Sequence, residues 1–197
     1  MSKKYILAID QGTTGTTTAL VDLEGNMFAS SYKEIGQFYP EPGWVEHDPY
    51  EILESVYECI KETLVSSDVF AKDIVSIGIT NQRETTVIWE RETGDIIHKA
   101  IVWQCRRTSP ICQQLIGTPE GERITKITGL SIDPYFSATK VKWILDVVPG
   151  AYEKAKQGKL AFGTIDSWLI WNMTGGMNHV TDVTTVSYTH LTLPTKA

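Results

Sequence analysis

The sequence predicts an α/β fold: a mixed sheet that starts with an antiparallel three-strand meander and is flanked by helices. Three observations carry this expectation. Three β-rich runs, YILAI, TTTALVD and MFASSYK, follow one another between residues 5 and 33 with only short turns between them. A long amphipathic stretch opened by Asp48-Pro49 comes next. A continuously apolar run, IVSIGIT, then returns as a strand, and the rest of the chain is mostly helical. A doubly wound dinucleotide-binding sheet would instead begin with a βαβ unit.

Each element has a local reason. Residues 5–9 are apolar without a break, as in a buried strand. Residues 11–15 (QGTTG) form a turn, and 16–22 a second strand ending in Leu20 and Val21. LEGN at 23–26 is a tight turn before the third strand, 27–33. Pro40, Pro42 and Gly43 exclude regular structure ahead of Asp48. Asp48 is a good N-cap and Pro49 suits the first helical position. Ile52, Val56, Ile60 and Leu64 then mark the apolar face of a helix reaching about residue 65. IVSIGIT (74–80) is expected as a buried strand, followed by strands at 85–89 and 100–103. Helices are expected over 108–115, 120–128, 138–147, 151–156 and 164–173.

Composition narrows the partners. The 197 residues suffice for one domain or a domain and a half, with a sizeable core. The net charge of −6 and the lack of a basic run argue against nucleic acid or an anionic membrane as partner. A local anion site built from backbone amides stays open. No run approaches a membrane span, and the first residues read as a strand rather than a secretory signal. Cys59, Cys105 and Cys112 are odd in number and lack CxxC spacing, which suggests reduced thiols in a cytoplasmic protein.

Four stretches carry chemistry. In DQGTTG, a strand ends on Asp10 and meets a turn of glycines and threonines. Glycine lets the backbone approach a ligand, and Thr13 and Thr14 add hydroxyls that suit phosphate oxygens. Asp10 can hold a water on a phosphate-bridging metal ion. In TNQRETT, Arg83 and Glu84 follow directly on a strand end, where ligands of α/β sheets collect. A cationic donor beside an acceptor suits a small polyhydroxy compound. In AIVWQCRRT, Trp103 offers a flat apolar face for a polyol carbon chain, and Arg106 and Arg107 are placed to steady loops. In DPYFSATK, Tyr135 precedes a helix and has a hydroxyl to offer.

Taken in order, DQGTT, PGWVEHDP, TNQRETT, AIVWQCRR, DPYFSATK and GTIDSWLIW resemble the N-terminal half of the FGGY carbohydrate kinases, from about residue 5 to about residue 184. NQRETT and WQCRR resemble the glycerol-phosphorylating branch. The strand order likewise resembles the ribonuclease-H-like module of actin-like ATPases. The resemblance implies ATP-dependent phosphorylation of the glycerol 3-hydroxyl to sn-glycerol 3-phosphate and ADP. It implies that Thr13, Thr14 and Gly15 lie against the ATP phosphates, with Asp10 near Mg2+. It further implies that Arg83, Glu84, Trp103 and Tyr135 line the glycerol pocket, and that the intact protein is a homo-oligomer.

Two departures stand out. Thr17 occupies a position where relatives often carry arginine, and Gly15 one where serine is frequent. No catalytic residue is expected in this chain, because the family's general base belongs to a later segment. Asp166 is expected to act only as the N-cap of a helix over 167–173. Residues 1–184 thus read as an incomplete N-terminal kinase domain, inactive alone and liable to expose apolar surface. Residues 186–195 (VSYTHLTLPT) back-translate to a sequence resembling a DNA-library adapter, so 185–197 are expected to be a non-native tail. Two alternatives remain: a kinase for another polyol or sugar, and a non-catalytic actin-like nucleotide-binding module.

Overall fold

The structure, a computed structural model, describes residues 4–182; the 186–195 stretch lies outside the described residues. The chain divides into two compact units. One comprises the residues up to 37 with 48–82, the other 38–47 with the chain from 83 on.

Among the described residues the first unit is a four-stranded mixed sheet with one α-helix. Strands β1 (Tyr5–Gln11), β2 (Gly15–Asp22) and β3 (Met27–Glu34) form the expected antiparallel meander. Strand β5 (Ile74–Asn81) adds parallel to β1, giving the order β3-β2-β1-β5. Between them runs α1 (Pro49–Ser67), capped by Asp48, whose carboxylate accepts from Tyr50 N at 3.0 Å.

The face that α1 turns to the sheet differs in one respect from the expected stripe. Ile52 and Val56 are buried as expected, but Ser55, Cys59 and Thr63 take the remaining core positions in place of Ile60 and Leu64. The reason lies in β2. Thr16 and Thr18 are buried, and hydroxyls need partners there. Ser55 Oγ meets Thr16 Oγ1 at 2.7 Å, and Thr63 Oγ1 meets Thr18 Oγ1 at 2.6 Å. The threonines of β2 thus split by the strand's two-residue period, with Thr16 and Thr18 facing the helix.

IVSIGIT forms a strand, but not the buried one expected. Val75 is 54% and Ile77 47% exposed. Among the described residues β5 pairs only with β1, so it is an edge strand.

Among the described residues the second unit packs short strands and five helices. Strand β4 (Glu46–His47) pairs antiparallel with β7 (Ala100–Ile101). Strand β6 (Val87–Glu90) pairs antiparallel with β8 (Leu160–Gly163). The sequence reading missed both β4 and β8; each is too short to show a hydrophobic period. Helices α2 (Ser109–Leu115), α3 (Pro119–Thr128), α4 (Ser137–Val147), α5 (Ala151–Lys156) and α6 (Ile165–Met173) lie within a residue of their expected bounds. The core gathers Val45, Ile88, Ile101, Val102, Cys105 and Ile144. Arg107, with its side chain fully buried, sits 2.8 Å from Glu46 Oε1 and stacks on Trp44 and Trp143, 4.0 and 4.7 Å from their centroids. All three cysteines are buried free thiols.

The hydroxyl pairing on β2 gives a prediction. Thr18→Val leaves the buried Thr63 hydroxyl without this partner and should cost about 1–3 kcal/mol in a denaturant melt. Thr18→Val with Thr63→Val should recover most of the loss. Equal stability of the single variant and the parent would show that the pair contributes nothing.

Candidate active site

The expected site residues divide between the two units. Asp10, Thr13, Thr14 and Gly15 belong to the first unit; Arg83, Glu84, Trp103 and Tyr135 belong to the second.

In the first unit, Gly12 N donates to Gly15 O at 2.8 Å and closes the β1–β2 hairpin. The hairpin's carbonyls are held from within the protein. Gln82 N donates to Gln11 O at 2.7 Å and Ile35 N to Thr14 O at 3.1 Å. Gly12 O accepts from Gln11 Nε2 at 2.9 Å and Gln82 Nε2 at 3.2 Å, and Thr13 O from Gln37 Nε2 at 2.7 Å. A trans peptide points its C=O and its N–H in opposite directions. With the carbonyls of residues 12–14 taken by these donors, the N–H of each following residue points away from its bonded carbonyl. Successive amides that converge can form an anion-binding concavity without any cationic side chain. The three supporting glutamines were not singled out in the sequence; only their pairing across distant segments shows their role.

Gly15 is buried, and the reason glycine stands there is steric. A Cβ would lie 2.5 Å from Lys33 O and 2.6 Å from the Tyr32 hydroxyl oxygen. A serine would demand a backbone shift of β3. Asp10 aligns in register with Thr17 on β2 and Thr80 on β5. Its carboxylate is exposed and makes no hydrogen bond or ion pair among the described residues. Among those residues no three His, Cys, Asp or Glu side chains gather as a metal cage. One free carboxylate fits a magnesium ion held mostly by water and phosphate oxygens.

In the second unit, Glu84 is the centre. Its backbone is left-handed, at φ 69°, and it is only 3% exposed. That conformation is uncommon for a residue with a side chain and points to a locally determined position. Its Oε2 accepts from Ser137 N at 3.0 Å and from Ser137 Oγ at 2.8 Å. Ser137 is the first residue of α4, whose N-cap Phe136 supplies no side-chain bond. Glu84 thus does for α4 what a capping side chain ordinarily does, and the helix terminus favours its charge. Burial still pushes the Glu84 carboxyl upward; the bonds from Ser137 and the charges of Lys140 and Arg83 pull the other way.

The other expected contact residues belong to the same unit. Arg83 is exposed, and Trp103 is half-buried with its N donating to Thr85 Oγ1 at 3.3 Å. The Trp103 and Tyr135 rings meet edge to face at 5.8 Å, with Tyr135 37% exposed. Asp133 Oδ1 accepts from Tyr135 N at 2.7 Å and from Arg106 Nη1 at 3.3 Å, so Arg106 does steady this loop. A carboxylate, a cation and aromatic faces are between them suited to bind hydroxyls and a carbon chain.

Sequence reasoning missed Ser137 and Lys140. Lys140 had a visible signal: it lies on the stripe of Ser137, Val141 and Ile144, a core position. The expectation for Asp166 needs correcting. The N-cap of α6 is Thr164, and Asp166 lies inside the first turn. Its buried carboxylate instead accepts from the hydroxyls of Thr164 and Thr181.

Residues 5–193 match the N-terminal domain of the FGGY family of carbohydrate kinases. The chain belongs to this family. A glycerol kinase of Klebsiella pneumoniae subsp. pneumoniae is 57% identical over 189 residues, 96% of this chain and 38% of the relative. The crystal structure of Plasmodium falciparum glycerol kinase with ADP is 38% identical, with a TM-score of 0.88 over 96% of this chain and 38% of its own. A gluconate kinase from Lactobacillus acidophilus, at 24% identity and a TM-score of 0.81, shares the fold. The chain thus spans about two fifths of its curated relatives' length.

Gly15→Ala should lower stability by about 1–3 kcal/mol through overpacking against β3. A melting temperature unchanged by this substitution would mean that the hairpin gives way freely.

Proposed function

We propose that this chain is the N-terminal part of an ATP-dependent glycerol kinase, which transfers the γ-phosphoryl group to the 3-hydroxyl of glycerol and yields sn-glycerol 3-phosphate and ADP. The observation that carries this reading is the buried Glu84 carboxylate, fixed by Ser137 and acted on by the Arg83 charge, in the unit where the Trp103 and Tyr135 rings meet. A non-catalytic nucleotide-binding module has no need of such a polyol pocket. The identity to named glycerol kinases supports glycerol over other polyols.

Each residue then has a task. Arg83 donates to, and Glu84 accepts from, the hydroxyls of glycerol. Trp103 packs on its carbon chain, and Tyr135 adds a polar edge. The amides of Thr13, Thr14 and Gly15 take the ATP phosphates, with the two threonine hydroxyls beside them. Asp10 holds Mg2+ through water; the ion, when bound, neutralises charge on the transferring phosphoryl group. Phosphoryl transfer also needs a group to take the hydroxyl proton. Glu84 is ill suited, since Ser137 already holds its carboxylate and its task is to hold substrate. The base belongs to the longer protein, as do the homo-oligomeric assembly and cytoplasmic location proposed for it.

The test is glycerol titration and an ADP-release assay on the full-length gene product. Glycerol should bind in preference to xylulose and gluconate; preference for a sugar would favour the alternative kinase. Arg83→Gln should raise KM for glycerol about tenfold or more, with the melting temperature unchanged because Arg83 is exposed. The 197-residue chain alone should show no turnover; near-normal ADP release from it would overturn the assignment of the base. The DNA beyond codon 184 decides on the tail: codons that depart from the adapter make residues 186–195 native.

A further inference from the structure

Lys140 is the least expected residue of the second unit. It sits in the first turn of α4 and is fully buried. Lysine is almost never fully buried unless its ammonium is matched. Here Nζ donates to Pro134 O at 2.5 Å, Tyr135 O at 2.7 Å and Phe136 O at 3.4 Å. An ammonium has three donors, so this set uses them all. Pro134 and Tyr135 precede the N-cap, so their carbonyls lie outside the helix's own ladder. Left buried without a donor, each would carry a desolvation penalty.

The three carbonyls belong to the loop that presents Tyr135 to Trp103. The same loop ends at Ser137, whose N–H and hydroxyl hold Glu84. Lys140 also acts on Glu84 by charge, and Glu84 on it: burial lowers the Lys140 pKa to about 8, while Glu84, Cys105, Cys112 and Asp133 raise it. One ammonium therefore holds the loop that carries both Tyr135 and the Ser137 donors to Glu84.

We propose that Lys140 is a positioning residue for glycerol binding, holding the Pro134–Phe136 carbonyls so that Tyr135 and the Ser137 donors to Glu84 stay in place. It acts through these groups and touches no reacting atom. The proposal rests on the glycerol-kinase reading above.

The test uses the full-length gene product with glycerol as the probe. Lys140→Met keeps the apolar stem out to Cε and removes the ammonium with its three donors. It should weaken glycerol binding, and raise KM for glycerol, by about tenfold or more, with KM for ATP near the parent's. Ile144→Val, a core deletion on the same helix, is the control: it should lower the melting temperature and leave KM for glycerol alone. Lys140→Arg, which keeps charge and donors, should recover binding relative to Lys140→Met. Parent-like glycerol affinity in Lys140→Met overturns the proposal. So does an equal rise in both KM values, which marks a general structural role. If Lys140→Met does not fold, Lys140→Gln carries the same prediction at smaller amplitude. Failure of both to fold even with saturating glycerol assigns Lys140 to folding alone and overturns the proposal. Absence of glycerol binding by the parent protein would instead remove the underlying functional reading.

Discussion

A carboxylate withdrawn from water must find donors, and much of the second unit follows from that demand at Glu84. Its oxygen takes the backbone and side-chain donors of Ser137, which fixes where α4 begins. The start of α4 in turn fixes the loop ahead of it, since Asp133 caps Tyr135 N and Lys140 gathers the next three carbonyls. The left-handed backbone at Glu84 is the cost of bringing the side chain inward directly after the exposed Arg83. The outcome is an acceptor whose orientation is set by a helix rather than by solvent.

The first unit uses the same physics with neutral groups. Its second strand is rich in threonine for two separate reasons. Thr16 and Thr18 point to α1 and pair with Ser55 and Thr63, which ties the helix to the sheet by hydroxyls as well as by apolar contact. Thr17 falls on the opposite face with Asp10 and Thr80, and Thr13 and Thr14 lie in the turn. A side-chain period of two residues separates these duties within one short run.

The parts of the fold that sequence conveyed are those with local causes. The meander, the Asp48-Pro49 helix start and the later helices each have a periodic or capping signal confined to a few residues. Strands β4 and β8 have none, because two to four residues hold no period and their partners lie far along the chain. The exposure of β5 was illegible for a related reason: apolar composition reports what a strand prefers, not which neighbours cover it. At the proposed site, Arg83, Glu84, Trp103 and Tyr135 lie at element ends, and the resemblance to the FGGY kinases is what singled them out together. Ser137, Lys140 and the glutamines 11, 37 and 82 did not stand out, since their importance comes from contacts made across the fold. The misplaced N-cap at Asp166 has the same origin, because Asp and Thr both suit a cap and only geometry selects Thr164.

The proposed phosphate contact has to work in an acidic chain and without the arginine that relatives often carry at position 17. Thr17 adds no charge, so attraction must come from oriented dipoles. In the hairpin five donors from Gln11, Gln37, Gln82 and Ile35 take the carbonyls of residues 11–14, which fixes the peptides that carry the proposed amides. Such a site is weak at long range, since dipole fields fall away faster than those of charges, but it requires no reorganisation when an anion arrives. It also tolerates no side chain at residue 15, where Tyr32 and Lys33 O leave no room. Glycine there and threonine at 17 are therefore mutually consistent: the proposed contact uses backbone amides and the Thr13 and Thr14 hydroxyls, and the proposed role of Asp10 leaves charge to be balanced by a metal ion.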